Sequence, residues 1–159
     1  MRKPLPAPHI PDVGEGQRGE AGHLGYLLRQ ASLAWRARME RALAELAVTP
    51  PQFATLTMID AYPGLSSADL ARASLLTPAT IAGIVANLKR AGGITARPHP
   101  VHGRILKLEL TAKGKALLLR CKRRVDALEA GLVEGATRAE EQAVRSWLTR
   151  VATAGGGRR

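Results

Sequence analysis

A mainly α-helical chain with one small β-hairpin is what this sequence predicts. Three observations carry that reading. Apolar residues recur at helical spacing along most of the 159 residues. Start signals for helices repeat: a Ser or Thr, then Pro or an acid or amide within three residues. Only two short runs, Ile94 to Arg97 and Ile105 to Leu110, look β-like, and a tight loop with Pro and Gly joins them.

The centre of the chain, Leu65 to Thr111, is the most informative stretch. Ser66 caps a short helix, with Asp69 at the capping-box position and Leu65 and Leu70 at hydrophobic-staple spacing. A turn over Ala73–Leu76 follows. Thr77 then caps a second helix, and Pro78 takes its first position, where a missing N–H costs nothing. That helix runs to about Ala91 and turns Ile81, Ile84, Val85 and Leu88 to one side, leaving Thr77, Thr80, Gly83 and Asn87 away from it. In the second β-run, Leu106, Leu108 and Leu110 alternate with Ile105, Lys107 and Glu109, the pattern of a strand with one buried face. Helix, turn, helix, hairpin is the order of a winged helix-turn-helix, a reader of duplex DNA.

The flanks are helical. Residues 1–19 hold four prolines and three glycines and read as a flexible N-terminal arm. Residues 20–64 form N-terminal helices. The first, from about Glu20 to Leu46, is about 35–40 Å long at 1.5 Å per residue, which predicts packing beyond its own core. The second starts at Thr49-Pro50-Pro51-Gln52 and stops at Pro63-Gly64. Residues 65–111 are the DNA-binding unit. Residues 112–154 are C-terminal helices, with an apolar seam through Leu117, Cys121, Val125, Leu128 and Leu132, then a capping box at Thr137 and Glu140. Residues 155–159 are a flexible tail. Apolar helices from both chain ends predict a shared dimer interface, with Leu128 and Val151 near it.

Charge agrees with a nucleic-acid partner. The net charge is +11, and Ser66 to Lys115 carries eight basic against two acidic side chains. That segment holds no Phe, Tyr or Trp, so the stacking platforms of single-strand RNA readers are missing from it. A basic architectural nucleoid protein or an RNA-binding protein with little sequence preference is the alternative. No paired carboxylates, Ser/His/Asp set or P-loop glycines are evident, so the expectation is no enzyme and no cofactor. His99 and His102 lack Cys or carboxylate companions, so no metal is expected. The lone Cys121 reads as packing. No apolar run approaches the length of a membrane span and no signal peptide precedes the helices, which predicts a cytoplasmic protein with no membrane partner.

Several motifs sharpen the reading: Leu88-Lys89-Arg90-Ala91-Gly92, then Arg97-Pro98, Gly103-Arg104, and Leu110-Thr111-Ala112-Lys113-Gly114. Their order resembles the MarR family of bacterial transcriptional regulators from about Leu24 to Ala152. The resemblance implies a homodimer on a pseudo-palindromic operator in double-stranded DNA, usually a repressor, released by a small phenolic or other aromatic effector. It departs from the family pattern where two wing acids are replaced by His99 and His102, and where Ala82-Gly83 stand for a Thr-Arg pair. The DNA-binding candidates are Ser66, Ser67, Thr77, Ala79, Thr80, Asn87, Arg97, His102 and Arg104. Trp35, Met58 and Tyr62 are candidates for an effector crevice.

Overall fold

A computed structural model describes residues 9–98 and 106–154. Helix α1 spans Leu24–Leu43, α2 Pro50–Ala61, α3 Ser67–Ser74, α4 Pro78–Arg90, α5 Ala112–Leu132 and α6 Arg138–Ala154. Strands β1 (Ile94–Pro98) and β2 (Leu106–Leu110) pair antiparallel, with Ala96 opposite Leu108. Short 3-10 turns occupy Gly16–Arg18 and Ala44–Leu46.

Capping chemistry sets the helix starts. Thr49 and Gln52 exchange bonds in both directions, Thr49 N–H to Gln52 Oε1 at 2.9 Å and Gln52 N–H to Thr49 Oγ1 at 3.4 Å. Ser66 and Asp69 do the same at 2.9 and 3.2 Å, and Thr137 and Glu140 at 2.7 and 3.3 Å. Each pair satisfies two backbone donors that a helix start would leave bare. The first long helix is shorter than its apolar pattern suggests. It starts at Leu24 rather than Glu20, and its last turn tightens to 3-10 before Ala47, which adopts left-handed φ. Within the segment expected as a flexible arm, the described part carries a local turn: Arg18 Nη1 donates to the Pro11 carbonyl at 2.9 Å around Gly16–Arg18.

Two cores lie side by side. One joins α2, α3, α4, the hairpin and α5 through Leu56, Ile59, Leu70, Ile81, Leu88 and Leu108. The other joins α1 to α5 through Met39, Leu43, Val48, Cys121 and Val125. Phe53 and Leu117 pack against both. The hairpin is tied back as well: Leu108 N–H donates to the Leu65 carbonyl at 2.9 Å and Gly64 N–H to the Leu108 carbonyl at 3.3 Å.

Burial follows the apolar pattern only where an element has a partner within the subunit. On α4, Ile81, Ile84, Val85 and Leu88 are all buried. On β2, Leu108 is buried and Leu110 half-buried, but Leu106 is exposed because it lies at the outer end of the hairpin. On α5 the buried set is Gly114, Leu118, Cys121 and Val125, whereas Leu132 is exposed. Helix α6 buries no residue at all. The N-terminal half of α1 behaves alike, with Leu24 68% exposed. Leu27, Leu28, Leu132, Val144 and Leu148 line an apolar groove of about 560 Å³ between α1, α5 and α6. Leu128, expected near the dimer seam, is half-buried and packs against the second core of its own subunit. No described helix is long and apolar enough to cross a membrane.

Candidate nucleic-acid interface

Helix α4 is fixed to the core by one side and bare on the other. Its four buried side chains contribute about 1.5–3 kcal/mol each, an upper estimate. That is ample to hold a 13-residue helix whose outer surface offers no packing. Pro78, Ala79, Thr80, Ala82, Gly83, Ala86, Asn87, Lys89 and Arg90 are all exposed. A Cβ added at Gly83 would meet nothing within 4 Å. Helix α3 braces α4 from behind. The turn between them passes through Leu75, a non-glycine residue at φ 56° and 81% exposed.

Polar groups gather at the two ends of this bare surface. At the N-terminal end, Thr77 Oγ1 accepts from Thr80 N–H at 3.2 Å, and the two hydroxyls lie 2.8 Å apart. At the C-terminal end, Arg90 Nη1 donates to Asn87 Oδ1 at 3.0 Å. Ala79 lies one turn below Gly83 and supplies only a methyl group. Ser66 is half-buried as the cap of α3, and Ser67 begins that helix. Bonds from the Ser66 hydroxyl and N–H, with Arg72 alongside, hold the Asp69 carboxyl below its ordinary value. Arg97 is exposed on β1 but engaged across the hairpin, 3.3 Å from Glu109. The pair engages its Nε, and at this exposure it holds the guanidinium only weakly. His99, His102 and Arg104 lie outside the described residues.

The effector candidates divide. Trp35 and Met58 line a crevice of about 490 Å³ between α1, α2 and α5, together with Met39, Phe53 and Thr57. Tyr62 does not join them. It stands at the C-cap of α2, 64% exposed, because Pro63 and Gly64 turn the chain away one residue later. Arg36, which sequence reasoning did not single out, also lines the crevice and is paired with Glu40 at 2.8 Å. Arg90 was likewise passed over. Its i, i+3 relation to Asn87 was the available signal. Among the described residues no group of three His, Cys, Asp or Glu side chains is placed to hold a metal ion.

A recognition helix with a free outer surface, a supporting helix and a basic hairpin defines a winged helix-turn-helix DNA-binding protein. A model of the MarR family matches residues 48–105. A helix-turn-helix transcriptional repressor of Mycobacterium tuberculosis is 36% identical over 129 residues, covering 80% of this chain and 92% of the relative. The chain therefore belongs to the MarR family of transcriptional regulators. Among solved structures it is similar to the transcriptional repressor CouR bound to a 23-mer DNA duplex, with 30% identity, TM-score 0.76, and 82% and 92% of the two chains covered. It is similar too to a MarR family protein of M. tuberculosis in complex with p-aminosalicylic acid, with 32% identity, TM-score 0.65, and 82% and 98% covered.

Proposed function

We propose that this protein is a homodimeric repressor that binds a pseudo-palindromic operator through α4 and the hairpin and is released by a small aromatic acid. The observation that carries the reading is the exposed outer surface of α4 on a helix otherwise locked into the core. The dimer rests on α6, none of whose residues is fully buried within its own subunit, and on the apolar groove that it shares with α1 and α5. A second copy is the occupant whose apolar helices match that groove. The effector reading rests on the crevice of Trp35, Met58 and Arg36, a mostly apolar slot edged by Glu129 and by a guanidinium that pairs with Glu40. An aromatic ring fits the first two side chains and a carboxylate fits the third. The relative solved with p-aminosalicylic acid supports that chemical class. The reading includes a regulatory rather than catalytic role and a cytoplasmic location, where the operator is. Ser66, Ser67, Thr77, Ala79, Thr80, Asn87, Arg97, His102 and Arg104 are proposed as DNA contacts within the 65–111 unit. The segments 20–64 and 112–154 serve as its dimerising flanks.

The test is fluorescence anisotropy with duplex from the promoter of the protein's own gene, competed by unrelated duplex and by single-stranded RNA. Specific binding that unrelated duplex displaces poorly is expected, with log affinity falling linearly in log salt at a slope steeper than about −4. Salicylate should lower the affinity. Equal competition by all nucleic acids would favour the architectural or RNA-binding alternative.

A further inference from the structure

Asn87 and Arg90 sit at the C-terminal end of the exposed α4 surface, seven and ten residues beyond Thr80. Seven residues of helix advance about 10.5 Å, roughly three base steps at 3.4 Å each. The two pairs, Thr77 with Thr80 and Asn87 with Arg90, therefore address different positions of a half-site. The Asn87 amide is oriented by its bond to Arg90. Arginine only donates, so the group that faces Arg90 Nη1 at 3.0 Å is the amide oxygen, and the NH₂ is turned elsewhere. No acidic side chain among the described residues pairs with Arg90. What the pair offers outward is thus a row of N–H donors with no free acceptor beyond the second lone pair of Oδ1.

The major-groove edges of the purines distinguish that arrangement. Adenine presents an N7 acceptor beside an N6 donor, and an asparagine reads it by donating to one and accepting from the other. Guanine presents two acceptors, N7 and O6. An asparagine whose oxygen is held by an arginine is matched to the second. We propose that Asn87 and Arg90 act as one donor-rich reading head that favours guanine over adenine at one position of each half-site. The inference rests on the operator-binding reading above and adds a base identity to it. Arg90 is then a specificity-determining residue both directly and by occupying the oxygen of Asn87.

The test uses the full-length protein, selected against a randomised duplex pool, as wild type, Asn87→Ala and Arg90→Ala. Both side chains are exposed, and melting curves check that the variants fold. The wild type should enrich guanine at one position per half-site, and replacing it by adenine should weaken binding about 5- to 150-fold, the range for one bidentate contact. Arg90→Ala frees the asparagine oxygen, so its preference at that position should move from guanine toward adenine. Asn87→Ala leaves Arg90 alone at that position and should bind more weakly while keeping guanine. An Arg90→Ala protein that binds every sequence more weakly with its base preference intact, as loss of a phosphate contact would give, overturns the proposal. So does a wild-type motif that neither substitution changes. A wild type that enriches no motif removes the operator reading beneath it, a result distinct from both.

Discussion

Of the described glycines, Gly114 has the least room for a side chain, and replacing it with alanine makes a sharp test of how α5 meets the DNA-binding unit. A Cβ at Gly114 would lie 1.8 Å from the Gly93 carbonyl oxygen and 2.8 Å from its carbon. Contacts under about 3 Å are not tolerated, so the start of α5 or the loop after α4 must move by more than about 1 Å. Both sides are tied where they touch. Thr111 N–H donates to the Gly93 carbonyl at 3.1 Å, the Thr111 hydroxyl donates to the Gly92 carbonyl at 2.7 Å, and Gly114 N–H donates back to that hydroxyl at 3.0 Å. Overpacking costs about 1–3 kcal/mol, and loss of one part-buried hydrogen bond adds about 1 kcal/mol. Helix propensity returns about 1 kcal/mol for Gly to Ala. The net expectation for Gly114→Ala is about 1–3 kcal/mol of destabilisation, a Tm lower by roughly 2–12 °C for a chain of this size. Gly83→Ala is the control. It lies inside α4 with nothing within 4 Å of the added methyl, so it should stabilise by up to about 1 kcal/mol. Chemical denaturation of both variants decides the matter. A Gly114→Ala protein as stable as Gly83→Ala would refute the close approach.

Other consequences follow from the same geometry. Asp69→Asn should destabilise α3 at neutral pH, and that effect should fade in acid. The folded carboxyl lies below its ordinary 3.8, so its contribution is present above that value and lost as pH falls through the depressed folded one; urea melts at pH 7 and pH 3 compare the two. Cys121 is buried and its thiol is raised by desolvation, with Arg120 opposing only in part. Alkylation at pH 8 should track global unfolding rather than proceed in the native state, and rapid native labelling would contradict the burial. Leu75→Gly removes a side chain from a left-handed turn where it touches solvent. It should leave stability unchanged or raise it by about 1 kcal/mol, measured by thermal melting. Val144→Asp with Leu148→Asp should give monomers by sedimentation, because both line the groove between α1, α5 and α6.

Much of the fold was legible because its signals are local. Ser66 with Asp69, Thr49 with Gln52 and Thr137 with Glu140 each declare a helix start within four residues, and within the DNA-binding unit the apolar spacing of Ile81, Ile84, Val85 and Leu88 declares which side is buried. What escaped reading depends on partners far along the chain or on another molecule. The apolar residues of α6 and of the first turns of α1 have the pattern of a core but no core within the subunit. Pattern alone does not say whose core they join. Leu128 and Val151 look equivalent in sequence, yet Leu128 packs in its own subunit and Val151 is exposed. The left-handed turn at Leu75 had no glycine to announce it. Tyr62 kept helical spacing with Ile59, but the chain had already left the helix. In the candidate site, Thr77, Ala79, Thr80 and Asn87 share the exposed surface of α4 as their spacing implies. The link from Asn87 to Arg90 is a matter of rotamers that composition does not encode.

If the proposed effector binds the crevice between α1, α2 and α5, the two cores give it a route to α4. Phe53 lines the crevice and packs against both cores. Leu117 packs against both without lining the crevice. A ligand that displaces Phe53 disturbs both cores, because Phe53 packs against each, and one of them anchors α4. Coupling of this kind is a difference in binding free energy between sites and is reciprocal. It commonly changes affinity about 5- to 150-fold. Leu117→Ala opens space between the cores, at a stability cost of about 2 kcal/mol for a half-buried leucine. Displacement of Phe53 would then be absorbed locally. We expect salicylate to bind the Leu117→Ala protein about as well as wild type in the absence of DNA, but to lower its operator affinity by a smaller factor. Titrations well below the melting temperature, with and without operator, measure both quantities. If the factor by which salicylate weakens operator binding is unchanged in Leu117→Ala, the signal does not pass between the cores at this point.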